Sequence, residues 1–136
     1  LLHEALSKIH HLSDKERVLE SLKQDGLMNQ SLKEKLEIRI EELFREESIQ
    51  PFFSKEWEVK TEQEILQPDG ETYVPDRILL KEDLVQIVDY KTGSDDLQKK
   101  HENQINNYAC LLQEMGYRNI EKFLIYTEEK NKVRKV

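Results

Sequence analysis

A chain of 136 residues is one domain's worth, long enough for a modest core. Its 37% hydrophobic and 36% charged residues mark a polar globular chain; no apolar run approaches membrane-spanning length and no signal-peptide pattern occurs, so no membrane partner is expected. One cysteine, Cys110, excludes an internal disulfide and a four-cysteine zinc or iron–sulfur site, which fits a reducing, cytoplasmic setting.

The net charge of −7 is unevenly spread. Residues 1–50 carry eight basic and eleven acidic side chains, residues 51–97 five and twelve, and residues 98–136 eight and five. The gradient permits a nucleic-acid partner without arguing for one, because a strongly basic footprint is missing. The chain opens Leu-Leu without a methionine, which reads as a fragment of something longer.

Residues 1–12 read as an amphipathic helix with Leu2, Ala5, Leu6 and Ile9 as its apolar stripe. His3 sits at the margin of that stripe, either as a partly buried histidine or as a metal ligand, since a neutral imidazole is a common one. His10 is a weaker candidate, and His11 points elsewhere. Ser13 and Glu16 have capping-box spacing before a helix that runs to about Gln24 and stops at Asp25-Gly26. Ser31 is expected to cap a third helix with Leu32, Leu36, Ile40 and Leu43 on one face.

Pro51-Phe52-Phe53 ends the helical part. Alternation from Trp57 to Leu66 predicts a strand, and Pro68-Asp69-Gly70 a turn that folds it back onto Tyr73–Leu80. The apolar segments Ile78–Leu80 and Leu84–Val88, parted by Lys81-Glu82-Asp83, predict a hairpin and complete an antiparallel meander. Val85, Ile87, Asp89 and Lys91 share one face of the last strand. An even-length loop pairs Asp76 with Asp89, whereas an odd one sets it opposite Val88. Two carboxylates paired beside buried apolar strands repel each other, and a divalent cation is the natural reason for them. Lys91 would point at the same spot.

After Thr92-Gly93, Ser94 or Asp95 caps a helix from about Asp96 to Met115, with Gly116 as its C-terminal cap. His101 and Gln104 interrupt its inward stripe, and burying them costs free energy unless they find partners. Gln104 and Tyr108 share a face at i and i+4. They serve either as a helix edge with a core tyrosine, or as groups that orient Lys91 or hold a phosphate; we favour the second. Residues 120–126 form a further strand, parallel to Val85–Asp89 through the intervening helix. In the basic tail, Lys132, Arg134 and Lys135 contact DNA or form a solvated last strand.

Pro75-Asp76, a hydrophobic strand and Asp89-Tyr90-Lys91 together resemble the PD-(D/E)XK nuclease signature. The fuller Asp89-Tyr90-Lys91-Thr92-Gly93, with Gln104 and Tyr108 in a Gln-x-x-x-Tyr helix, resembles the RecB-type family, the nuclease domains of helicase–nucleases such as RecB and AddA. His3 is similar to that family's N-terminal metal-binding histidine. The resemblance spans nearly the whole chain in order; its pieces are specific jointly and weak singly.

The resemblance implies an α/β (α+β) fold of the restriction-endonuclease type, a mixed sheet with an antiparallel meander flanked by helices. It implies one nuclease domain over residues 1–136, helical over 1–50 and catalytic over 51–136, as a C-terminal piece of a longer helicase–nuclease. It implies Mg²⁺ or Mn²⁺ held by His3, Asp76, Asp89 and the main-chain carbonyl of Tyr90, with Glu62 as an accessory carboxylate. Some relatives carry a four-cysteine iron–sulfur cluster, which a single cysteine cannot build. Catalysis would fall to Asp76, Asp89, Lys91, Gln104 and Tyr108. The cation would activate water and offset charge on the scissile phosphate, and Lys91 would stabilise the transition state, its acidic neighbours favouring a fixed cation over a general base. The expected function is a DNA exonuclease acting on single-stranded or unwound ends beside helicase domains of the same chain. A catalytically inactive binding or docking module of the same fold is the second reading, and an RNA-directed nuclease the third. No phosphate-binding glycine loop occurs, so any ATPase would lie outside these residues.

Overall fold

The β-branched and leucine-rich segments around residues 78–88 form the centre of a sheet, and the fold is built outward from them. The computed structural model describes residues 2–60, 65–66, 72–73, 75–91, 98–128 and 133–136. They divide into two compact units, Leu1–Lys55 and Glu56–Val136.

The first unit is helical: α1 (Leu2–Lys8), α2 (Lys15–Gln24) and α3 (Gln30–Phe44) pack pairwise. They bury Leu6, Leu19, Leu22, Leu36, Ile40 and Leu43. α1 is shorter than the periodicity predicts, because the chain leaves the helix before His10-His11 and makes a 3-10 turn over Leu12–Asp14. The Asp14 carboxylate accepts the His11 N–H at 3.1 Å, so this turn takes the place of the expected Ser13–Glu16 box. α2 ends where expected. Gly26, at φ 77°, lets its own N–H reach the Lys23 carbonyl and that of Leu27 the Leu22 carbonyl, a Schellman closure. α3 is capped by Asn29 rather than Ser31, its side-chain oxygen accepting the Leu32 N–H at 2.9 Å. Leu32 therefore lies in the first turn and is exposed, outside the buried face. A second 3-10 turn, Gln50–Phe53, buries Phe52 and Phe53.

In the second unit, β1 (Glu58–Lys60), β4 (Arg77–Lys81), β5 (Leu84–Lys91), β6 (Asn119–Tyr126) and β7 (Val133–Lys135) form a mixed sheet in that order. β5 pairs antiparallel with β4 and parallel with β6, which follows it through α4 (Gln98–Glu114). The predicted meander is present as β1, β4 and β5; of the strand expected over 57–66, Glu58–Lys60 and Ile65–Leu66 are strands and residues 61–64 lie outside the described residues. β2 (Ile65–Leu66) pairs with β3 (Thr72–Tyr73) in a separate ladder, in the same register that relates β1 to β4. Pro75, which has no N–H to give a ladder, stands between β3 and β4. The turn predicted at 68–70 and the cap predicted at Ser94 or Asp95 lie outside the described residues.

α4 covers one face of the sheet, joining Ile105, Tyr108, Ala109 and Leu112 to Ile78, Val85, Ile87, Leu124 and Tyr126 in one core. Lys122 ties β6 to this helix through Asn106 at 2.8 Å. α4 closes as α2 does, with Gly116 at φ 106° and the N–H of Tyr117 on the Leu112 carbonyl. Among the described residues no helix is long and apolar enough to cross a membrane.

The β4–β5 turn is two residues long, Glu82-Asp83, since Lys81 pairs with Leu84. Two-residue hairpin turns need a left-handed residue, and here Glu82 supplies it at φ 54°. A side chain in that conformation costs roughly 1–2 kcal/mol, partly offset by the greater freedom glycine has when unfolded. Glu82→Gly is therefore expected to raise stability by about 0.5–1 kcal/mol, read as a higher denaturant midpoint at unchanged slope; a lower midpoint would contradict the strain.

Candidate active site

The short turn sets the parity of the hairpin. Arg77 pairs with Val88, so Asp76, one residue before β4, faces Asp89, one residue further along β5. The two carboxylates are fastened reciprocally. The Asp76 N–H donates to Asp89 Oδ1 at 2.9 Å, and the Tyr90 N–H donates to Asp76 Oδ2 at 2.8 Å. Asp89 is 2% exposed. The Lys91 ammonium stands 3.5 Å from Asp89 Oδ2. Asp89 and Lys91 share the strand face that carries Val85 and Ile87, the face that α4 covers.

Such crowding shows in the acid–base chemistry. The Asp76 carboxyl is pushed up to about 7, first by burial and then by the charge of Asp89 and a hydrogen bond shared with it. The Tyr90 amide and the Lys91 ammonium pull the other way without prevailing. An excess of negative charge in a partly dry setting is what a divalent cation relieves. The donor set fits one. Mg²⁺ takes one or two carboxylates and fills its remaining positions with water and substrate phosphate, and no third His, Cys, Asp or Glu joins the pair among the described residues. In an extended strand the N–H and C=O of one residue point the same way. The Tyr90 carbonyl thus looks to the side on which its N–H meets Asp76.

The remaining predicted residues fall in different places. Tyr108 is 1% exposed within the core, and burial pushes its hydroxyl up to about 12. Gln104 is half-buried one turn earlier on α4. His3 is half-buried on α1 of the first unit, its carbonyl accepting the Ser7 hydroxyl at 2.8 Å. Glu62 lies outside the described residues, as does Lys132. Arg134 and Lys135, on β7, pair with Glu102 and Glu121 at 3.5 and 3.0 Å.

Three neighbours were not assigned to the site from sequence. Thr127 is fully buried and holds the Lys91 carbonyl through its N–H at 2.9 Å and its hydroxyl at 3.3 Å. Arg77, also fully buried, acts on the Tyr90 side chain on the opposite sheet face, where burial pushes the phenol up to about 12 against the pull of the guanidinium. Its signal was a charge inside an apolar strand at an alternate position. His101 was noted only as a break in the apolar stripe; its ring lies 6.4 Å from that of Tyr126.

These elements make a mixed α/β domain with an acidic pair and a lysine at one end of its central strand. A profile of the PD-(D/E)XK nuclease superfamily matches residues 1–136, and the chain belongs to that superfamily. Its members are nucleases, hydrolases acting on nucleic acid that typically use divalent metal ions. No curated protein matches the chain.

Proposed function

We propose that this chain is the metal-dependent DNA nuclease domain, spanning residues 1–136, of a RecB-type helicase–nuclease. It would act as an exonuclease on single-stranded or unwound ends in recombinational repair, in the cytoplasm, beside helicase domains of the same parent chain. One observation carries the reading: Asp76 and Asp89 are held face to face by each other's strand, with the Lys91 ammonium 3.5 Å from Asp89. Burial of two carboxylates and a lysine together has a cost that a binding-only module has no reason to bear.

In this reading Asp76, Asp89 and the Tyr90 carbonyl hold Mg²⁺ or Mn²⁺, with His3 as a further ligand and Glu62 as an accessory carboxylate. The bound cation would supply water activation and charge neutralisation at phosphorus. Lys91 orients the attacking water and stabilises the developing charge on the phosphate oxygen. Thr127, gripping the Lys91 carbonyl, keeps that strand end from fraying. Gln104 and Tyr108, on one face of α4, orient Lys91 or hold a phosphate of the DNA. The acidic balance and the internally paired Arg134 and Lys135 support weak DNA binding by the isolated domain, with the motor supplying the grip.

The test is cleavage of end-labelled single-stranded DNA, duplex DNA and RNA in Mg²⁺, Mn²⁺ or EDTA. Cutting of DNA that requires the cation is expected, faster on single strands. Cutting that persists in EDTA would overturn the metal role. No cutting, with no calorimetric binding of Mn²⁺, would favour the inactive module.

A further inference from the structure

His101 is a polar side chain that the crossover helix turns toward the sheet, and nothing assigned so far uses it. It lies in the first turn of α4, one turn before Ile105. Its ring is tilted 43° to that of Tyr126, 6.4 Å away. Tyr126 is the strand partner of Lys91, so helix and sheet together bring the imidazole and the lysine to the same end of the sheet. The charges of Lys91 and Asp89 both act on it. Its Nδ1 is buried and has no hydrogen-bond partner among the described residues. Leaving a buried ring nitrogen unmet is costly, and a leucine would fill the space without that cost.

We propose that His101 is a positioning residue for Lys91, its Nδ1 accepting a hydrogen bond from the ammonium once a divalent cation engages the acidic pair. The inference rests on the nuclease reading for its purpose, though not for the contact itself. Lys91 leans on Asp89 at 3.5 Å, longer than a good hydrogen bond. Asp89 is also a ligand for the cation, whose charge repels the ammonium and claims the carboxylate. Lysine offers three donors on a flexible stem and needs an acceptor elsewhere. A neutral imidazole is one, and both burial and the adjacent ammonium favour the neutral ring. So anchored, Lys91 stays aimed at the phosphate when its partner is taken.

Two side chains separate this role from packing. Asparagine sets an oxygen near the place of Nδ1, whereas leucine fills the volume with no acceptor. His101→Leu is expected to lose about 10- to 100-fold in kcat, with KM for DNA and cation affinity unchanged, and His101→Asn to recover most of it. Equal activity in the two would overturn the proposal. A second readout needs no cleavage: NMR of isotope-labelled histidine during Mg²⁺ addition, with His101→Asn assigning the resonance. The unprotonated nitrogen of His101 should be Nδ1, and it should shift on Mg²⁺ addition in wild type but not in Lys91→Ala. A proton on Nδ1, or the same response in both proteins, would also overturn it. Should wild type show the Lys91-dependent shift yet cut nothing, the nuclease reading falls and the contact stands.

Discussion

Lys91→Ala is expected to lower single-turnover DNA cleavage by about 10²–10³-fold while the folded state persists. The lysine ends β5, its carbonyl held by Thr127, with its ammonium 3.5 Å from Asp89 and little of it exposed. The substitution removes the ammonium beside Asp89, so the loss appears in kcat rather than in DNA affinity. A second sign follows from the carboxylates. Lys91 pulls the Asp76 pKa down, so without it Asp76 holds its proton to higher pH. The ascending limb of any residual pH–rate profile should therefore move to more alkaline pH. A variant with wild-type rate and a wild-type profile would remove Lys91 from the mechanism.

The larger structural effect is expected from Asp89→Asn, and it has two opposite signs. Asparagine retains an oxygen for the Asp76 N–H but not the charge. Cleavage and cation binding should be lost, because one carboxylate ligand is gone. Stability without metal should rise at neutral pH. The folded pKa of Asp76 is raised from 3.8 to about 7, so its ionisation disfavours the folded state. Stability is fully present below about pH 4 and lost as pH climbs through about 7. With the charge of Asp89 removed, that loss should shrink. Thermal melts of both proteins from pH 4 to 8 in EDTA check it. Wild type should lose more stability over this range, and Mg²⁺ should restore it in wild type alone. Parallel melting curves would mean that the carboxylates do not oppose each other.

The β4–β5 hairpin was the most legible part of the chain, because the β-branched run 84–88 and the polar break at 81–83 have one reading. An even-length turn was one of two options in sequence; choosing it needed the left-handed Glu82, a residue with no glycine-like preference to announce it. The crossover helix and its Gly116 closure were also legible from spacing. Other features depended on local competition. Asp14 closes the 3-10 turn before the second helix where a Ser13 box was expected, and Asn29 rather than Ser31 caps the third, its side-chain oxygen one turn from an orphan amide. Thr127 was not legible at all: it lies 36 residues from Lys91, and only the pairing of β5 with β6 brings them together.

That last contrast bears on how the site opens. Asp76 and Asp89 are 13 residues apart on one hairpin. The grip of Thr127 on Lys91 depends on a crossover almost three times as long, which carries the greater loop-closure entropy. Partial unfolding that releases β6 would thus free the lysine's end of the strand while the carboxylates stay paired. Such a form could keep its cation and still be unable to cut. Amide exchange should register this as earlier deuterium uptake at Thr127 than at Tyr90.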